Sequence, residues 1–203
     1  AENLYNMLKD RGVSLKEVRE ALEAGFKTLD NFKHKIQERG EETLVTMRER
    51  GERGIVLAGR PYHLDPQVNH GISQIMTAEG FNVLTEDSVS HLGDVKGLRV
   101  VNQWMYHSRL YAAAKVVAKS PNLEFVQLTS FGCGIDAIDS DQIEEILSRH
   151  NKLYTSLKID EGTNMGAVRI RLRSLKAAVN ERKERHILPK ELAKAPIPVK
   201  YTK

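Results

Sequence analysis

Residues 54–59, Gly54-Ile55-Val56-Leu57-Ala58-Gly59, form an unbroken apolar run set between glycines. A half-exposed strand alternates apolar and polar residues, whereas a strand buried on both faces does not. The run therefore demands layers on both sides of a sheet. Three more short runs follow it, at Phe81–Leu84, Leu123–Thr129 and Leu153–Ile159. Stretches of helical periodicity separate them: Val68, Ile72, Ile75 and Met76, then Tyr106, Leu110, Ala113 and Val117, then Ile143, Ile146 and Leu147. A last stripe holds Met165, Val168, Leu172, Leu175 and Val179. Strands alternating with helices on short loops predict an α/β domain of three layers around a four-stranded parallel sheet, roughly half of a doubly wound fold.

Local signals set the expected boundaries. Asp65-Pro66 offers an N-cap with proline at the first helical position, and Gly80 suits the end of that helix. Residues 86–97 read as a polar loop. A helix is expected from about Asn102 to Lys119, stopped by Pro121, and another is capped by Asp141 with Glu144. A long helix is expected from about Asn164 to Arg185. Residues 1–53 read as a helical lead-in, with a capping box at Ser14 and Glu17 and punctuation by Gly12, Gly25 and Gly40. The α/β domain then spans 54–186, and residues 187–203, with Pro189, Pro196 and Pro198, read as a tail or linker.

Charge is unevenly spread. Residues 1–53 carry eleven basic and eleven acidic side chains, whereas residues 169–203 carry eleven and three. The basic C-terminal segment lacks interleaved aromatics for stacking on bases, so a solvated helix face is expected rather than a nucleic-acid site. No apolar run reaches the roughly 18 to 20 residues of a membrane span, and no signal-peptide pattern opens the chain. The only cysteine, Cys133, excludes an internal disulfide, and a cytoplasmic location is expected.

Ligands of parallel α/β sheets bind outside the carboxyl ends of the strands. Three loops leave that edge: Gly59-Arg60-Pro61-Tyr62-His63-Leu64-Asp65, Ser130-Phe131-Gly132-Cys133-Gly134, and Asp160-Glu161-Gly162-Thr163-Asn164. Topology thus gathers Arg60, His63, Ser130, Cys133, Asp160, Glu161 and Asn164. Arg60 either pairs Asp160 or Glu161 or binds an anion. His63 and His70 are either metal ligands or loop hydrogen-bonders, and Asp65 reads as a helix cap. Gly162-Thr163-Asn164 either opens a helix or cradles a phosphate on free N–H groups. Cys133, between two glycines, reads as a thiol presented for chemistry or for metal, and activation by His63 would make it a nucleophile.

Three segments carry a resemblance. Gly59 to Pro66 with Asn69-His70-Gly71-Ile72, Leu128 to Gly134, and Lys158 to Ala167 resemble the large proteins known as acyl-CoA dehydratase activase-related, or CoA-substrate-specific enzyme activases. The likeness spans about residues 54–180, within the region of those proteins that is similar to the 2-hydroxyglutaryl-CoA dehydratase subunits. It implies flavodoxin-like α/β units and a [4Fe-4S] cluster that passes a low-potential electron to an acyl-CoA thioester. It carries Cys133 over as a cluster ligand. Such a cluster takes about four protein ligands, mostly thiolates, and this chain supplies one cysteine. It also lacks an ATP site of the activase kind. The expectation is therefore a piece of a larger protein, inactive alone, whose remaining ligands come from other domains or a dehydratase-like subunit. The missing initiator Met and the prolines of the tail agree with that. A non-catalytic module for CoA or nucleotide phosphate, built on Arg60 and the Gly162–Asn164 turn, is the alternative. A domain docking through its basic helix is another.

Overall fold

A computed structural model of the chain describes residues 1–130, 134–159 and 164–185. Helix α1 (Glu2–Leu8) and the long helix α2 (Leu15–Arg50) precede β1 (Gly54–Ala58). Then come α3 (Ile72–Ala78), β2 (Asn82–Thr85), α4 (Glu86–Val89), α5 (Met105–Lys119), β3 (Leu123–Thr129), α6 (Gly134–Ser148), β4 (Tyr154–Lys158) and α7 (Met165–Arg185). The four strands form one sheet in the order β2-β1-β3-β4, and every pairing is parallel. That is the flavodoxin-like order over its first four strands.

The apolar run that demanded two covered faces has them. All five residues of β1 are buried. Val56 and Ala58 face a layer containing Leu44 and Met47 of α2, Leu110 and Val117 of α5, and Ile143 and Leu147 of α6. Ile55 and Leu57 face Ile72 and Met76 of α3 and Leu172 and Leu175 of α7. Each fully buried aliphatic side chain is worth about 1.5–3 kcal/mol, so this double packing fixes the register of the central strand.

The expected boundaries hold for the strands and shift for several helices. The capping box is present: Ser14 N–H donates to Glu17 at 2.7 Å and Glu17 N–H to Ser14 Oγ at 3.2 Å. Gly12 and Gly51 adopt φ of 80° and 65° at the helix ends, but Gly25 and Gly40 lie inside continuous α2. Phe26 and Phe32 are exposed on that helix. Asp65 does not cap α3. Its Oδ1 accepts from Gln67 N–H at 2.8 Å in a tight turn. The helix starts only at Ile72, after His70 and Gly71 take left-handed φ of 50° and 78°. The expected polar loop after β2 contains α4, with Glu86 and Val89 buried. Tyr106 is exposed, while Leu110, Ala113 and Val117 point inward as expected. Helix α6 starts at Gly134, so Asp141 and Glu144 lie within it rather than at its cap.

At the amino edge of the sheet, the buried Glu124 of β3 lies 3.6 Å from Lys152 Nζ and accepts from Arg182 at 3.3 Å. Lys152 Nζ also donates to the Leu123 carbonyl at 2.7 Å. This ion network ties the ends of β3 and α7 to the turn before β4, at the edge opposite the loops considered next.

Candidate functional site at the carboxyl edge

The chain leaves β1 toward β2 on one side and returns to place β3 on the other. The carboxyl ends of β1 and β3 therefore flank the crevice where such sheets bind ligands. Gly59 ends β1 with φ 153°, and a Cβ there would lie 2.5 Å from His63 Nδ1 and 3.0 Å from the Leu128 carbonyl. Glycine is needed because the His63 ring folds back over residue 59 while β3 runs this closely beside it. The chain then folds into a 3-10 turn, Pro61–Leu64.

His63 is buried, with 1% of its surface exposed. Arg60 N–H donates to its Nδ1 at 3.0 Å, so the ring proton sits on Nε2. Nε2 in turn donates to Ser130 Oγ at 3.1 Å, and Tyr62 Oη lies 3.0 Å from the same hydroxyl. Burial lowers the His63 pKa, with the Asp136 charge opposing and Arg60 assisting. A neutral imidazole is what the two hydrogen bonds require. His63 is thus a loop hydrogen-bonder.

Arg60 reaches across the same gap, and its guanidinium pairs with Asp136 Oδ1 at 2.7 Å. The Arg60–His63 turn therefore holds both ends of the segment that contains Cys133: Ser130 at the end of β3 and Asp136 in the first turn of α6. Cys133, Asp160 and Glu161 lie outside the described residues. Asn164 accepts from Gly166 N–H at 2.9 Å and Ala167 N–H at 3.4 Å, which commits its side chain to the start of α7. His70 is exposed.

A second group at this edge was not singled out from sequence. The buried Asp139 of α6 accepts from Tyr111 Oη at 2.5 Å and lies 2.8 Å from His107 Nε2. Donor atoms of His107, Asp136 and Asp139 all fall within 4.8 Å of one another. Burial raises the Asp139 pKa, the Tyr111 bond and the His107 charge oppose this, and the nearby Asp136 charge adds to it. Burial together with the Asp139 bond raises the Tyr111 hydroxyl as well. The signal lay in spacing. His107 and Tyr111 are four apart and Asp136 and Asp139 three apart, which puts each pair on one helix face. Starting α6 at Asp141 hid it.

The turn after β2 adds a titratable group. Glu86 accepts from Arg109 at 2.6 Å with a side chain only 3% exposed. Burial raises its pKa from 4.5 to about 7, the Asp87 charge adds to this, and Arg109 opposes it. The native state then keeps a proton that the unfolded chain releases between pH 4.5 and 7, so stability falls as pH rises through that window. The shift corresponds to about 3 kcal/mol. Urea unfolding at pH 5 and pH 8 should show this loss in the parent chain and a flatter profile in Glu86→Gln. Equal pH dependence in the two would refute the assignment.

Among the described residues no helix is long and apolar enough to cross a membrane. No curated protein and no solved structure matches the chain. A family model described as CoA enzyme activase uncharacterised domain matches residues 1–89, across both N-terminal helices, β1, β2 and the Arg60–His63 turn. Over residues 1–89 the chain is therefore similar to that CoA enzyme activase family.

Proposed function

We propose that the chain serves as one cytoplasmic domain of a CoA-substrate-specific enzyme activase-related protein, and that the β1/β3 edge presents the Cys133 thiolate as one ligand of a [4Fe-4S] cluster. One observation carries this reading. The Arg60–His63 turn grips the cysteine segment from both sides, through Ser130 and through Asp136. A thiolate that must meet ligands from elsewhere needs its loop anchored at both ends, since a shift of about 1 Å spoils a coordination geometry.

The chain's own donors do not make a cluster site. It has one cysteine where about four ligands are needed, so the remaining ligands belong to other domains or to a dehydratase-like subunit. The chain's own contribution is mechanical and electrostatic. Gly59 leaves room for the His63 ring beside β3. His63 stays neutral, and Arg60 offsets the carboxylate of Asp136 beside the thiol-bearing segment.

The phosphate-binding alternative is weaker on the same geometry. Arg60, its main cation, is already paired with Asp136 at 2.7 Å. Acid-labile sulfide should be measured in protein isolated anaerobically with its natural subunits, alongside calorimetry with CoA. The proposal expects sulfide that is lost in Cys133→Ala and no strong CoA binding by this chain. CoA binding unaffected by Cys133→Ala, with no sulfide in the parent, would favour the phosphate module instead.

A further inference from the structure

We propose that His107, Asp136 and Asp139 form a site for a divalent transition-metal ion of the Zn²⁺ or Mn²⁺ kind, separate from the cysteine thiolate. The three donor atoms lie within 4.8 Å of one another, as ligands around one ion must. Imidazole with two carboxylates is a set that suits these metals, and three protein ligands leave a position open for water or substrate.

The second observation is an unsatisfied group inside the cluster. Asp139 Oδ2 is buried without a hydrogen-bond partner, on a side chain only 3% exposed. It faces His107 Nε2 at 2.8 Å, but without the alignment of a hydrogen bond. A buried carboxylate oxygen that no hydrogen bond satisfies is costly. An ion between the two would satisfy both donor atoms and offset the repulsion between the two carboxylates.

The surroundings of the two carboxylates fit a ligand role. Asp139 is oriented by the Tyr111 hydroxyl at 2.5 Å on its other oxygen, and Asp136 by Arg60 at 2.7 Å. Holding carboxylate ligands through a second set of hydrogen bonds is how metal sites fix their geometry. His107 and Asp139 are supplied by the rigid helices α5 and α6, whose facing sides pack in the core. The site borders the Arg60–His63 turn through Asp136, yet needs no thiol.

The test uses the 203-residue chain carrying Cys133→Ser, so that thiolate binding is removed from the start. Equilibrium dialysis with Zn²⁺ should give one ion per chain, and a Co²⁺ derivative should show ligand-field bands without a thiolate charge-transfer band. His107→Gln and Asp136→Asn should each weaken Zn²⁺ binding by at least about 100-fold, since even removal of an orienting partner costs about 10–100-fold. Asp136 is the safer of the two for folding, being the least buried member. Thermal unfolding without metal verifies that each variant is folded, and Zn²⁺ should raise Tm in the parent alone. Unchanged affinity in both variants would overturn the proposal. So would absence of Zn²⁺ binding in the Cys133→Ser chain, which would leave these residues as a metal-free ion pair.

Discussion

Glu124→Ala is expected to destabilise the fold by about 3–5 kcal/mol, a large share of the about 5–15 kcal/mol typical of a domain. Glu124 is 2% exposed, and Lys152 beside it has a side chain 6% exposed. Burial lowers the Lys152 pKa, and the Glu124 charge is the largest influence holding it up. Removal of the carboxylate strands an ammonium group among carbonyls, with Arg182 and Arg53 adding like charge. Alanine therefore costs far more than the pair itself contributes. Two outcomes follow. The deficit should shrink at high pH as Lys152 loses its proton, and Glu124→Leu combined with Lys152→Met should recover most of the loss, because apolar replacement of a buried pair is often neutral. Equilibrium unfolding in urea measures both. A deficit below about 1 kcal/mol, the range of a surface pair, would show that the network is solvated.

Gly40→Ala is the second large effect, and it runs against helix propensity. Alanine in a helix interior is favoured over glycine by about 1 kcal/mol. A Cβ at residue 40 would lie 2.2 Å from the Ser88 carbonyl oxygen. That atom is backbone at the start of the corner after β2, where Ser88 Oγ also donates to the Thr85 carbonyl at 2.8 Å. Separating α2 from α4 should cost about 3 kcal/mol, so the clash wins over propensity. Gly25 supplies the control on the same helix. Nothing lies within 4 Å of a Cβ there, so Gly25→Ala should stabilise by up to about 1 kcal/mol. The two glycines look alike in sequence and should shift Tm in opposite directions. Shifts of the same sign would contradict the packing described.

The strands were legible because burial on both faces imposes unbroken apolar runs directly. Leu123–Thr129 is β3 residue for residue, and the parallel order followed from the intervening helices. The loops of the carboxyl edge followed as well, and Arg60, His63 and Ser130 are hydrogen-bonded there. What escaped was specified by tertiary contact. Gly40 reads as a helix break, yet it is kept small by Ser88. Asp65 reads as a helix cap, yet the left-handed turn at His70 and Gly71 delays α3. Asp141 and Glu144 read as a capping box, yet α6 already runs from Gly134. That last displacement concealed Asp136 as the partner of Arg60, and with it the cluster around Asp139. Local caps were over-read because Asp, Glu and Ser have the same composition whether they start a helix or continue one.

The central claim is that this edge delivers a thiolate to a cluster completed from outside the chain. Electron paramagnetic resonance of the reduced protein, isolated anaerobically with its natural subunits, tests it most directly. The parent should give the signal of a reduced [4Fe-4S] cluster, and Cys133→Ser should abolish or visibly shift that signal, because an iron ligand has changed. An identical spectrum from Cys133→Ser, or no cluster signal from the parent, would contradict the account.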